Sequence, residues 1–258
     1  MNEIKLVEIL KISDVQRKYL TDLVINEISF EIFINAKRLL SISALPSNLM
    51  ELSMGFIFSE GLVKSFDEIK DYKIDEKINA INFMLQIPDE RLQYFNKTKE
   101  KTSGCGASLS SSLADNGKED FEKMEINIEK LHTLFHSFQK KSLLFFKTGG
   151  VHSAALITDD EIKYFAEDIG RHNAVDKVIG MALLDKYEMK NLIMLCSGRI
   201  SSEIVKKAVR LNIPMIISQS ATTSEAINLA WKYKLYIVGF ARGKRMNIYT
   251  GYNKLKLT

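Results

Sequence analysis

The chain has 258 residues, 46% of them hydrophobic, enough to bury a core as one large domain or two smaller ones. Its 36 Lys and Arg exceed 32 Asp and Glu by only four charges, which argues against nucleic acid as a partner and leaves room for local phosphate sites. No run approaches the roughly 20 apolar residues of a membrane span, and residues 1–10 alternate charged and apolar side chains without a signal-peptide core, so a cytoplasmic protein that does not engage a membrane is expected.

The first third reads as β structure. Residues 27–35 place Ile28, Phe30, Ile32 and Ile34 on one face, and a polar turn over 35–38 leads into a second strand. Residues 48–60 then show helical spacing through Leu49, Leu52 and Phe56, with Asn48 as the expected N-cap, Glu51 three residues on and Gly61 as the stop. Alternation returns over 80–87. Residues 88–127 are polar and charged and suit a mobile connection, which holds Lys101-Thr102-Ser103-Gly104-Cys105-Gly106-Ala107-Ser108. Glycines on both sides of Cys105 let the backbone approach a partner, and no bulky neighbour covers the thiol.

Beyond this loop, Leu131, Leu134, Phe135 and Phe138 predict an amphipathic helix over 128–140, and Thr148-Gly149-Gly150 precedes a strand pair at 152–166 with its turn at Thr158 to Glu161. A regular alternation follows: helix 173–186, strand 191–196, helix 201–211, strand 214–218, helix 223–233 and strand 235–240. Such alternation predicts parallel strands covered by helices, with ligands collecting at the carboxyl ends of the strands. Three polar segments fall there: Ser197-Gly198-Arg199, Ser218 to Ser224, and Phe240-Ala241-Arg242-Gly243-Lys244-Arg245. The first two run from a strand into a helix start, where unpaired amides and the helix dipole favour an anion. The third adds guanidinium forks suited to phosphate. Taken singly, each Ser or Thr there reads equally well as a plain cap; convergence of three loops favours an anion with several phosphates. No G-x-x-x-x-G-K-[ST] loop supports an ATPase.

The cluster Glu167 to Lys177 opens a helix with Arg171 and His172 at its start, residues that gain a functional reading only from facing the same pocket. Of the two cysteines, Cys196 ends the apolar run Leu192 to Leu195 and reads as a buried, inert thiol, and a cytosolic pair is expected to be reduced. Lys99 and Lys101 are the cations beside Cys105 and would favour its thiolate. A zinc hydrolase is disfavoured: Ala174 stands where the catalytic Glu would follow His172, and no C-x-x-C exists.

Together, Leu52 to Gly61, Ser103-Gly104-Cys105-Gly106, Thr148 to Ala155, Glu167 to Lys177, Ser197 to Glu203, and Gly239 to Arg245 ahead of Tyr249-Thr250 resemble the formate dehydrogenase accessory sulfurtransferase family (FdhD), over most of the chain. The resemblance implies an α/β fold: a smaller α+β amino-terminal domain (1–125) ending in the cysteine loop, and a cytidine-deaminase-like carboxyl-terminal domain (126–258) with a mainly parallel or mixed sheet covered by helices. It also implies a homodimer. The implied activity takes persulfide sulfur from a cysteine desulfurase onto Cys105 and passes it to the bis-molybdopterin guanine dinucleotide cofactor, with molybdenum or tungsten, for formate dehydrogenase. No cofactor or metal is expected to be permanently bound, and GDP serves as a surrogate ligand. Cofactor contacts are expected from Phe240 to Arg245, agreeing with the phosphate pocket, joined by Arg171, His172 and Arg199. The family's usual second loop thiol, three positions after the first, is here Ser108, which cannot accept sulfane sulfur. That departure keeps open an alternative, a cofactor-binding chaperone that moves no sulfur.

Overall fold

Strand and helix periods in the sequence resolve into two principal sheets and two strand pairs, the principal sheets held together by a pair of crossed helices. The computed structural model describes residues 2–93, 113, 120–158, 160–243 and 245–258. Strands β1 (Ile4–Ser13) and β2 (Gln16–Ile25) form an antiparallel hairpin that the sequence reading left unassigned. Strands β3 (Ile28–Ile34), β4 (Lys37–Ala44), β5 (Ile69–Asp75) and β6 (Ala80–Leu85) make a four-stranded sheet in the order β4-β3-β6-β5. The expected 35–38 turn is there, with Asn35 and Ala36 at φ 50° and 64°. Asn35 is locked by exchanging side-chain hydrogen bonds with the backbone of Leu85, at 3.1 and 2.8 Å.

Helix α1 (Leu49–Ser59) stands where its spacing placed it, and Gly61 ends it at φ 77°. Asn48 corrects the capping expectation. Its backbone is left-handed (φ 53°) and its side chain makes no hydrogen bond to the first turn, so it is there as a residue that tolerates the bend. The 88–127 stretch also ends differently from a loose connection. Strand β7 (Met124–Ile126) pairs with the carboxyl-terminal β14 (Leu255–Leu257), and buried Phe121 meets Trp231 and Tyr236 edge-on at 5.3 and 5.1 Å.

The second half contains α2 (Ile128–Lys141), a short α3 (Leu143–Thr148), β8 (His152–Ile157), β9 (Ile162–Asp168), α4 (Arg171–Leu184), β10 (Ile193–Cys196), α5 (Ser202–Arg210), β11 (Met215–Ser218), α6 (Ser224–Tyr233), β12 (Tyr236–Arg242) and β13 (Arg245–Ile248). The sheet order is β13-β12-β11-β10-β8-β9. As the alternation predicts, β10, β11 and β12 are parallel; β8, β9 and β13 run antiparallel and make the sheet mixed. Period two divides the strand side chains. Met194, Cys196, Ile216 and Ile237 pack under α4, α5 and α6, whereas Ile193, Leu195, Met215, Ile217 and Val238 pack against Leu131, Phe135 and Phe138 of α2. No helix among the described residues is long and apolar enough to cross a membrane.

Helices α1 and α4 cross at backbone distance. A β-carbon on Gly55 would lie 1.8 Å from the Asp176 carbonyl oxygen, and one on Gly180 would lie 1.9 Å from that of Glu51. Beside the crossing, Lys207 of α5 is 2% exposed and its Nζ lies 2.6 Å from Glu60, 3.0 Å from Asp176 and 2.8 Å from the Ser59 hydroxyl. Burial raises the Glu60 carboxyl pKa against the pull of Lys207, and the neighbouring carboxylates raise that of Lys207 against its own burial. Gly55→Ala is expected to destabilise the fold by about 3 kcal/mol, the upper end for overpacking, because the atom it meets is backbone. Lys207→Met should cost about 3–5 kcal/mol by stranding two buried carboxylates. Urea unfolding midpoints of the two variants check both figures.

Candidate functional site

The carboxyl ends of β10, β11 and β12 open on one rim of the sheet, as the sequence reading expects. After β10 the chain passes through Ser197, Gly198 and Arg199 into α5; after β11 it passes through Gln219 and Ser220 into α6. These loops are zipped together, because Ile200 N donates to Ala221 O and Thr223 N to Ile200 O, both at 3.0 Å. Plain structural roles claim part of the set. Thr223 caps α6 by accepting from Ala226 N at 3.3 Å, and buried Ser218 donates to Gly198 O at 2.7 Å. Ser201 differs: at the N-cap of α5 its buried hydroxyl has no hydrogen-bond partner.

The third segment does not lead into a helix. It is a strand, turn and strand, with Gly243 at φ 55°, and antiparallel register sets Arg242 opposite Arg245. Two cations facing each other across a ladder are unfavourable unless an anion sits between them. A bulge falls between Gly239 and Arg242, where Phe240 takes a left-handed backbone (φ 51°) and is 39% exposed while Ala241 points into the core. Phe240 N donates to Ser220 O at 3.0 Å and Arg242 Nε to Gln219 O at 3.1 Å, tying this hairpin to the β11 loop. Lys244 and Cys105, with Lys99, Lys101 and Ser108, lie outside the described residues.

At the start of α4, Arg171 packs its stem on Gly198, where a β-carbon would come within 2.8 Å of it, and its Nε is buried without a hydrogen-bond partner. His172 Nε2 lies 3.0 Å from Glu203 Oε2, and this close contact holds the Glu203 carboxyl below its usual range. Arg199, Arg242 and Arg245 are exposed. Much of the remaining Glu167 to Lys177 cluster is structural. Asp168 is fully buried, pairs with Lys177 at 2.8 Å, and accepts from Leu45 N at 3.2 Å and the Asn173 amide at 2.8 Å.

Sequence reasoning missed a cavity of about 590 Å³ beside this rim, on the α2 side of the sheet. Its walls include Phe138, Phe145 and Phe146, and its floor includes Gln139, Ser142, His152, Ser153, Ser197 and Gln219. None of the expected cofactor contacts is among these; Ser197 and Gln219 join the cavity to them. The Leu143 to Phe146 run, apolar yet following an amphipathic helix, was the signal available. Ser197 Oγ accepts from Ser153 N at 2.9 Å and lies 3.2 Å from His152 Nδ1. Burial lowers the His152 pKa, and Arg171, His172 and Arg199 lower it further by repulsion.

Cys196 is the other thiol, and it is 4% exposed with its pKa pushed up to about 11 by burial. It cannot serve as a thiolate near neutral pH.

Fold and rim define a mixed α/β protein with a cationic edge beside an aromatic-walled cavity. The FdhD/NarQ family model matches residues 25–256, and the chain belongs to that family. It is 37% identical over 238 residues to the sulfur carrier protein FdhD of Wolinella succinogenes, covering 92% of this chain and 83% of that one. It is 34% identical over 239 residues to the protein of the same name from Bacillus pumilus, covering 91% of each. The fold matches a crystal structure from Desulfotalea psychrophila described as a formate dehydrogenase accessory protein, with TM-score 0.78, 23% identity, and 98% and 100% of the two chains covered.

In an NMR titration the His152 ring is expected to ionise below its ordinary value near 6.5, because burial and the neighbouring Arg171, His172 and Arg199 oppose its charge. An anion that neutralises those cations must raise that midpoint, so GDP should move it upward and bind more tightly as pH falls through it. A free-protein midpoint at or above 6.5 contradicts this electrostatic picture.

Proposed function

We propose that this protein is a cytoplasmic, homodimeric sulfurtransferase that receives sulfur on Cys105 from a cysteine desulfurase and passes it to the bis-molybdopterin guanine dinucleotide cofactor destined for formate dehydrogenase. The carboxyl-terminal half would be the deaminase-like unit that grips the cofactor. In the first step the Cys105 thiolate attacks the outer sulfur of the donor's persulfide. The donor S–S bond breaks, its cysteine leaves as a thiolate, and Cys105 becomes the persulfide with no net redox change.

The observation that carries this reading is the convergence of Arg171, Arg199, Arg242 and Arg245 with three loops on one sheet rim, beside a cavity that suits a ring system. A dinucleotide with several phosphates and flat heterocycles has the matching chemistry. Burial of Cys196 supports giving the sulfur to Cys105, since the chain has two cysteines and this one is closed to partners. The relatives' name, sulfur carrier protein, supports the same assignment. Ser108 in place of a second loop thiol would confine the relay to a single cysteine.

Incubation with a cysteine desulfurase and cysteine should add the mass of one sulfur to the intact protein. Cys105→Ala should abolish that gain while GDP binding stays at the unsubstituted level. Equal loading of the Cys105→Ala protein overturns the assignment; an unloaded native chain that still binds GDP points instead to a cofactor-binding chaperone.

A further inference from the structure

We propose that one face of the β1–β2 hairpin seats a second copy of this chain, hairpin on hairpin, about a two-fold axis running across the strands through the row of Leu10 and Tyr19. This deepens the homodimer in the reading given above and rests on it, because it names the surface through which the copies meet.

The hairpin has no core of its own. Its strands form a sheet by themselves, and of the other elements β2 rests chiefly on α3. An isolated two-stranded hairpin is at best marginally stable in water, and both of its outer edges keep unpaired backbone groups. The ladder nevertheless runs without a register shift from the Ile4 and Ile25 pair to the Ser13 and Gln16 pair, a length of about 33 Å at the usual rise.

Period two and the antiparallel register sort the side chains onto two faces. One face carries Leu6, Leu10, Ile12 and Tyr19, which are 70%, 43%, 63% and 82% exposed. At its root the same face is covered: Ile25 packs on Gly150, where a β-carbon would come within 2.9 Å of Ile25 Cγ1. Just before that glycine, α3 exposes Phe145 and Phe146, at 47% and 66%. A contiguous apolar surface thus runs from α3 out along the hairpin, and a surface of that kind left bare in water marks an interaction site.

Charge and size select the occupant. The apolar face holds two ionic groups, Glu8 and Arg17, and neither has an ion-pair partner among the described residues. Glu8 lies two residues to one side of the Leu10 and Tyr19 row, and Arg17, opposite Ile12, two residues to the other. The proposed axis therefore sets the Glu8 row of each copy over the Arg17 row of the other, with Leu10 and Tyr19 over their own counterparts, as an isologous contact requires. On the opposite face Lys5, Lys11 and Lys18 outnumber Asp22, a surplus that doubles when two such faces meet. At roughly 150–250 Å² for a whole aromatic side chain, the exposed parts of Tyr19, Phe145 and Phe146 offer roughly 300–500 Å². With the aliphatic residues of the face, the patch is on the order of the 800 Å² per partner of a stable interface.

Analytical ultracentrifugation of the full-length protein tests this. The native chain should sediment as a dimer at micromolar concentration. Leu10→Asp brings like charges together on the axis and should raise the dimer dissociation constant by roughly a hundred-fold or more, with the urea unfolding midpoint of the monomer unchanged. Tyr19→Asp, in the same row and more exposed, repeats the test. Glu8→Arg and Arg17→Glu should each weaken the dimer by about ten-fold, and the two together should restore it. A native chain that sediments as a monomer overturns the homodimer and this surface together; if that monomer floats with anionic lipid vesicles, the face is a lipid contact instead. A native dimer that both aspartate variants leave intact overturns the surface alone and leaves the homodimer standing. A double charge variant weaker than either single one overturns the axis.

Discussion

Everything in the molecule hangs on the place where α1 and α4 touch backbone to backbone. Gly55 and Gly180 each face a carbonyl of the other helix with no room for a side chain, so the two sheets are joined by contact rather than by a linker. Lys207, Asp176, Glu60 and Ser59 close the same junction with buried charge. A buried ion network contributes little net stability, but it tolerates few alternative alignments because each misplaced partner strands a charge. Its effect is to fix where α4 begins.

That start point decides the rim. Arg171 and His172 open α4, and Asp168 just before them is pinned by Lys177, Asn173 and the Leu45 amide from the other half of the molecule. Gly198 lets the Arg171 stem lie directly on the β10 loop. Thus a joint buried well away from solvent sets the position of a guanidinium at the surface. The stretches that carry the family resemblance, Leu52 to Gly61 and Glu167 to Lys177, contribute chiefly to this joint and only at Arg171 and His172 to the rim.

The site itself separates two chemistries that one ligand would need. Cations gather at the exposed ends of the loops, where facing Arg242 and Arg245 favour an anion, and the cavity inside is uncharged and aromatic. His152 stands between them. Burial and the neighbouring Arg171, His172 and Arg199 lower its pKa, so a bound anion that offsets them would raise it.

Much of this was legible in the chain because short-range periods dominate it. The alternation of β10, α5, β11, α6 and β12 was readable to within about two residues, since strands buried on both faces and amphipathic helices leave strong patterns. The convergence of Ser197, Gln219 and Arg242 followed from the rule that parallel strands present their carboxyl ends together. Tertiary structure alone decided the rest. A left-handed Asn48 instead of a cap and a β12–β13 turn that sets two arginines face to face are backbone choices their residue types leave open, and α3 lodged against β9 by a Glu167 carboxylate depends on a partner distant in sequence. Local periodicity records which face of an element is apolar; it carries no record of what that face, or a lone carboxylate, will meet across the fold.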